Sequence, residues 1–248
     1  MGAITIHFTE KSVVFCRNIL YNRLILIQEE NLMKKSKLIL ALLAVMCLFA
    51  FSACGAEFDP VAYVQGNFDA VFHGEITDEF IATLDDVDSA EDYHEEYEDI
   101  LETTTDGIIT SMGISEPTEV LKNDVKDMFV NVLGATKYEV NSEYVSNDDG
   151  SFDVEVVVYP LLTYVETCND ADGAISAAAE ARVTSDMSYE QIMTVVAEEM
   201  VIAVNNALAA PTYGEPQTYT IHVYQDEDGL YTVDENDIAT ITTTLMGA

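Results

Sequence analysis

Residues Ser146–Tyr159 read SNDDGSFDVEVVVY. Phe152, Val154, Val156 and Val158 alternate with Asp153 and Glu155, and that period of two turns one set of side chains to a core and the other to water. Asp149-Gly150 comes just before, a pair that favours a tight hairpin turn because both positions tolerate positive φ. Tyr138 to Val145, on the other side of the turn, supplies the partner strand. The arrangement returns near the end of the chain, with Gln217–Gln225 and Leu230–Val233 around Asp228-Gly229. Both hairpins carry Asp-Gly-x-[Phe/Tyr]-x-Val, at Asp149–Val154 and Asp228–Val233. Two origins fit that pattern: a worn internal duplication, and hairpin chemistry, which by itself sets Asp-Gly ahead of alternating apolar residues.

Outward from the hairpins the period changes to that of helices. Asp59-Pro60 reads as an N-cap and first helical residue, and Val61, Val64, Phe68, Val71 and Phe72 give the helix that follows one apolar stripe, ending at Gly74. A short helix is expected over Thr77–Leu84. Ser89 and Asp92 form a capping-box pattern for a long helix with Tyr93, Tyr97, Ile100, Leu101 and Ile108 on one face, stopping near Gly113. Ser115, Glu116 and Pro117 open another, with Val120, Leu121, Val125, Phe129, Val132 and Leu133 inward and Gly134 at its end. An Ala-rich helix over about Asp172–Val183 precedes a long one from Ser188, capped with Gln191 and stopped before Pro211. The tail from Asp234 to Leu245 spaces Ile238, Ile241 and Leu245 as a short helix does, although its threonines favour a strand. The expected class is therefore α+β: several amphipathic helices on one face of an antiparallel sheet of about four strands built from two hairpins.

The charge is lopsided. The 248 residues hold 45 Asp plus Glu against 10 Lys plus Arg, and six of those ten bases precede residue 38. Downstream of Cys54 only Lys122, Lys126, Lys137 and Arg182 remain, against all but three of the acids. Such a surface repels phosphate backbones, so nucleic acid is excluded as a partner, and anionic lipid headgroups are repelled as well.

The six early bases have a pattern of their own. Lys34, Lys35 and Lys37 follow Met33, and then Leu38 to Phe51 is a run of fourteen apolar residues. As a helix that run spans about 21 Å, too short for a hydrocarbon core of about 30 Å but the length of a signal-peptide apolar region. Ser52 and Ala53 supply small side chains and Cys54 a thiol. This resembles the lipobox of bacterial lipoproteins, with Phe51 where Leu is usual; an ordinary secretory signal with a coincidental Cys, or a short buried helix, is the alternative. The resemblance implies that the Cys54 sulfur carries diacylglycerol and that the chain is cut before it, two acyl chains holding the protein stably at the outer face of a membrane. Residues 33–53 are then the signal peptide and 54–248 a single extracytoplasmic domain. Residues 1–32 read as an upstream extension produced by a mis-assigned start, since Glu29-Glu30 is encoded by purine-rich codons of the ribosome-binding type just ahead of Met33. Of the four cysteines, Cys16 and Cys47 fall in the discarded part and Cys54 is modified, so Cys168 stands alone as a buried thiol without a disulfide.

The mature portion carries a broader likeness. The lipobox, FDPVAYVQGNFDAVFHGE (Phe58–Glu75), EDYHEEYEDILE (Glu91–Glu102) and DGLYTVDENDIATI (Asp228–Ile241) together resemble the small uncharacterised lipoproteins of Gram-positive bacteria, a group without assigned chemistry. The order of elements is also faintly similar to cystatin-like and NTF2-like folds.

Motifs for catalysis and metal binding are incomplete. His94–Glu98, HEEYE, lacks the second His that a zincin helix needs four residues on, where Glu98 stands. Cys168–Ser176 matches a calcium loop at Asp170, Asp172, Gly173 and Ile175, yet Cys168 and Ala179 occupy its first and twelfth positions, where ligating oxygens are needed. His73, His94 and His222 show no ligand spacing, and no Gly-rich phosphate loop is present, so no cofactor is implied. The carboxylates Asp85, Asp86, Asp88, Glu91, Asp92, Glu95, Glu96, Glu98 and Asp99 cluster on one stretch, a solvated face or one for a basic protein or divalent cations. The outward sheet face, with Glu139, Glu143, Asp153, Glu155, His222 and Tyr224, is the first candidate for such contact. The expected function is a non-enzymatic, lipid-anchored binding domain; a small extracytoplasmic hydrolase with an unrecognised site is the rival.

Overall fold

A computed structural model describes residues 58–77, 80, 90–169, 173–227 and 229–247. The N-terminal extension, the signal-like segment with Cys54, most of the helix expected over Thr77–Leu84, and Asp85, Asp86, Asp88, Ser89, Asp170, Asp172 and Asp228 lie outside the described residues. The elements run α1 (Pro60–Phe68), α2 (Ala90–Ser111), α3 (Glu119–Gly134), β1 (Lys137–Ser146), β2 (Phe152–Tyr159), α4 (Leu162–Cys168), α5 (Ala174–Arg182), α6 (Tyr189–Leu208), β3 (Gln217–Gln225), β4 (Tyr231–Val233) and α7 (Glu235–Leu245).

The four strands form one antiparallel meander, β1-β2-β3-β4. Val154, Val156 and Val158 are fully buried on β2 and pair with residues of like orientation on both sides, Val156 lying opposite Val140 and Tyr219. Both hairpin turns differ from the two-residue form. Gly150 N–H donates to Asn147 O at 3.1 Å and Asn147 N–H to Ser151 O at 2.9 Å; Gly229 N–H donates to Asp226 O at 3.1 Å and Asp226 N–H to Leu230 O at 2.9 Å. These hydrogen bonds close three-residue loops whose glycine is left-handed, at φ 89° and 84°, the position at which such a loop favours Gly. The two hairpins thus share one turn geometry at the repeated glycine.

Two cores are built. One lies under the sheet and gathers α1, the N-terminal half of α2, Phe129 and Leu133 of α3, the inward strand residues, and Ile238, Ile241 and Leu245 of α7. The other joins Ile109 and Met112 to the opposite stripe of α3 (Leu121, Val125, Met128, Val132), to Ala179 of α5 and to the buried face of α6. α2 and α3 thus belong to both cores.

Side-chain details correct several expectations. Thr118, not the Ser115 triplet, caps α3 by accepting from Leu121 N–H at 3.2 Å. Ser115 and Glu116 are instead held by Glu190 at the start of α6, whose Oε1 accepts from Ser115 N–H at 2.6 Å, Ser115 Oγ at 2.8 Å and Glu116 N–H at 2.9 Å. With α3 starting later, its stripe runs from Leu121, and Val120 points to solvent at 69% exposure. On α2 the buried line continues through Thr104 and Thr105, leaving Ile100 and Ile108 at its margins. The Ser188–Gln191 capping box is formed in both directions. α4 is an added helix, and Cys168 at its end is half-buried rather than enclosed. Arg182 joins α5 to α6 through Glu198 and Glu199.

α1 continues into a π-helical turn, Asp69–His73, closed by left-handed Gly74 at φ 64°. The wider turn buries Ala70, Val71 and Phe72 in succession. Upstream, Gly66 sits mid-helix, where Ala is ordinarily better by about 1 kcal/mol. Here a Cβ would enter the Phe80 ring, which is itself buried. Gly66→Ala is therefore expected to destabilise the protein by about 1–3 kcal/mol, read as a lowered urea midpoint; an unchanged or raised midpoint would refute the close packing.

Candidate functional site

Two places gather polar side chains. The first is a cleft of about 730 Å³ between the π turn and the C-terminal ends of α3 and α6, bordered by His73, Tyr97, Asn131, Asn205 and Tyr213. The π turn places Asp69 and His73 against the same residue of β1: Tyr138 Oη donates to Asp69 Oδ1 at 2.6 Å and lies 3.3 Å from His73 Nδ1. The His73 and Tyr138 rings stack with centroids 5.1 Å apart, Gln65 donates to the same Asp69 oxygen at 2.7 Å, and His73 Nε2 faces Thr136 O at 3.3 Å. Burial first, and then the Asp69 hydrogen bond, push the Tyr138 phenol well above its usual range. The phenol is thus held protonated as a donor, the opposite of an activated nucleophile. Most other polar groups of the cleft are spent on structure: Tyr213 Oη donates to Ala135 O at 2.8 Å, Tyr97 Oη to Val71 O at 3.3 Å, and Asn131 Nδ2 to Asn205 Oδ1 at 3.1 Å.

Tyr97 gives this region a pH signature. Burial, with Glu98 as the smaller cause, raises its phenol to about 12. The folded protein keeps a proton that the unfolded chain loses near pH 10, so this contribution is intact below pH 10 and is lost as pH climbs toward about 12. A tenfold change in proton affinity is worth about 1.4 kcal/mol, so the contribution at stake is about 3 kcal/mol. Denaturant melts at pH 9, 10 and 11 are expected to show a steeper alkaline decline in the parent than in Tyr97→Phe; parallel declines would contradict the assignment.

The second place is the sheet face turned away from the core. Residues of β2 and β3 that do not enter the core stand there: Asp153 opposite His222, and Glu155 opposite Thr220. His222 Nδ1 lies 2.9 Å from Asp153 Oδ1, and its ring stacks on Tyr224 at 5.8 Å. On β1, Glu139 accepts from Tyr159 Oη at 2.9 Å, while Lys137 Nζ sits 4.0 Å over the Tyr159 ring. That hydrogen bond raises the Tyr159 phenol. Between Val140 and Tyr144 the register shifts; Glu143 lies in this bulge, and Asn141 donates to Glu155 at 3.3 Å. The six residues named from the alternation are thus grouped on this side of the sheet, Glu143 by way of a bulge that period-two reading does not show.

Elsewhere, His94, Glu95, Glu98 and Asp99 are exposed on α2. Lys126 reaches Glu98 at 3.0 Å and Lys122 reaches Asp106 at 2.9 Å, tying α2 to α3. The same lysines line a cavity of about 110 Å³ with Glu102, Thr105 and Glu119. Among the described residues, no group of three or more His, Cys, Asp and Glu is placed to hold a metal ion, and no helix is long and apolar enough to cross a membrane. Two ligands of the calcium-loop pattern, Asp170 and Asp172, lie outside the described residues. Sequence reasoning missed the Asp69–Tyr138–His73 group; the only trace was the Asp69/His73 spacing of four, which an α-helix and a π turn share.

Fold and site together define an α+β domain: helices on one side of a four-stranded antiparallel meander, and an acidic, strand-lined surface on the other. A crystal structure of ycdA from Bacillus subtilis, described as a candidate lipoprotein, has this fold, with a TM-score of 0.50 and 14% identity over 75% of the present chain. The chain spans 55% of that protein's length. No protein-family model matches the chain, and no curated protein matches it in sequence.

Proposed function

We propose that the protein is a bacterial lipoprotein, anchored through Cys54 at the outer face of the cell membrane, and that its folded portion is a non-enzymatic binding module for a cationic partner. The observation that carries the binding role is the outward sheet face, where Glu139, Asp153 and Glu155 stand on strands whose other faces fill the core. Nearly all the acids and only four bases lie beyond Cys54, so the field over that face favours a basic protein or divalent cations and disfavours nucleic acid. The anchoring rests on the Lys34–Cys54 pattern, and the fold shared with the ycdA protein is in keeping with it.

Both parts are testable in one strain. Cys54→Ala is expected to shift the protein from the membrane fraction of a Gram-positive host to the soluble fractions and to abolish labelling by a fatty-acid probe. Retention of both would end the anchoring reading. Glu139→Gln combined with Glu155→Gln is expected to weaken binding of a Lys-rich peptide about tenfold at physiological salt. Equal binding by parent and variant would end the assignment of this face.

The hydrolase reading is favoured by the carboxylate, phenol and imidazole gathered at Asp69, Tyr138 and His73 beside the cleft. Against it, the donor-locked phenol occupies the middle of that chain, where a hydrolase places its base. Turnover of ester or peptide substrates that is lost in His73→Ala would favour it.

A further inference from the structure

The two ends of the meander are finished differently. At the β4 edge the pairing covers three residues, and where it stops Asp234 N–H donates to His222 O at 3.2 Å while Asp237 Oδ2 accepts from His222 N–H at 3.0 Å. The start of α7 thus takes over the hydrogen bonds of β3. β1, at the other edge, runs for ten residues and is paired with β2 alone among the described residues.

The direction of its backbone groups follows from the ladder. His222 turns its N–H and C=O away from β2, so Asp153 opposite it directs its own pair toward Val145. The hairpin closure agrees, since Asn147, two residues beyond Val145, also donates inward. By alternation Tyr144 and Ser146, and Tyr138 and Val140 on the far side of the bulge, direct their N–H and C=O groups outward. Residues 141–146 are exposed throughout, with Tyr144 at 45% and Val145 at 61%. Edges are commonly blunted by Pro or outward Lys; β1 contains no Pro, and its one lysine is drawn over Tyr159.

Charge selects the occupant. Pairing β1 with β1 of a second copy would bring together the Glu139 and Glu143 sets of two molecules whose chains beyond Cys54 each carry nearly all the acids and only four bases, and like charges on adjoining strands destabilise. A strand with Lys or Arg at alternate positions would instead set its cations against Glu139, Glu143 and Glu155.

We propose that β1 accepts an extended, Lys/Arg-containing segment of a partner protein as a fifth strand of the sheet, with main-chain hydrogen bonds supplying affinity and the edge carboxylates supplying specificity. This rests on the binding role proposed above and adds its mode. The bulge divides the edge into two short runs, 138–140 and 144–146, so recognition is expected to need a segment of about seven residues.

The test uses the full chain in detergent and a labelled probe peptide, Thr-Lys-Val-Lys-Thr-Arg-Thr, with two twins N-methylated on one or the other alternate set of amides. Strand addition predicts that one twin binds at least tenfold more weakly while the other keeps its affinity, since only one set faces β1. Tyr144→Pro removes an outward N–H without touching the β1-β2 ladder. It is expected to weaken the parent peptide about tenfold; Tyr144→Ala, which loses the same ring contact with Phe152 but keeps the N–H, is expected to melt at the same temperature as Tyr144→Pro and to weaken the peptide much less. If both twins bind like the parent peptide while Glu139→Gln with Glu155→Gln still weakens it, strand addition is overturned and the acidic face stands. Absence of binding by all three peptides overturns both readings. A salt-resistant dimer that Tyr144→Pro dissociates overturns the proposal in favour of a second copy at this edge.

Discussion

Val156→Asp is expected to leave the chain without a cooperative fold, whereas Val157→Thr, one residue along the same strand, is expected to melt within about 1 kcal/mol of the parent. Val156 is fully buried between Val140 on β1 and Tyr219 on β3, in the middle of the sheet core. Among the described residues a carboxylate there meets no cation: Lys122, Lys126 and Arg182 are engaged on helices and Lys137 lies over the outward ring of Tyr159. It must stay protonated at neutral pH or leave the core. Holding an acid neutral about three pH units above its ordinary pKa costs about 4 kcal/mol, and the lost valine packing adds to that. The sum reaches the stability range of an ordinary domain, about 5–15 kcal/mol. Val157 stands on the opposite face, across from Glu139, where a hydroxyl meets water. Circular dichroism and a urea melt of both variants check the pair. A folded Val156→Asp, or a Val157→Thr as damaging as it, would mean that the two faces of β2 have been exchanged.

That contrast shows what a sequence can carry. Alternation in β2 depends only on the residues themselves, and the strand spans, the inward valines and the Ser188–Gln191 cap were all legible. So were the short C-terminal helix and the α+β class. The failures have a common physical source, which is that a partner remote in sequence competes for a local group. Ser115 and Glu116 look like a helix start until Glu190, about 75 residues away, takes their N–H groups. Thr104 and Thr105 are passed over by hydropathy, although packing against the neighbouring helix buries them. The π turn at Asp69–His73 inserts nothing into the sequence; it is visible only once Tyr138 is seen bonding both ends of it. The acidic outward face was legible as a set of residues, while the open β1 edge was not, because which strand lies at an edge depends on the order of pairing and not on the content of any one strand.

The same dependence on remote partners governs how the two cores melt. Phe129→Ala is expected to cost about 3–5 kcal/mol, the usual loss for truncating an enclosed aromatic ring. The expected consequence is that the two cores still lose structure in one transition. Phe129 and Leu133 face the sheet core while Met128 and Val132, one position to the side, face the helical core. A cavity at Phe129 therefore loosens the anchorage of α3, and with it the stripe that α6 packs upon. α2 is shared in the same manner, with Tyr93, Tyr97 and Leu101 in one core and Ile109, followed by Met112 just past the helix end, in the other. Two cores that share two helices cannot separate without exposing an apolar stripe of each, and that exposure is what makes their unfolding concerted. Hydrogen exchange on the parent and on Phe129→Ala reads this directly. Amides of β2 and of α6 are expected to lose protection by the same free energy in the variant. Loss confined to β2, with α6 unchanged, would show that the sheet and the helical cluster are separate cooperative units, and residues 54–248 would then have to be described as two domains.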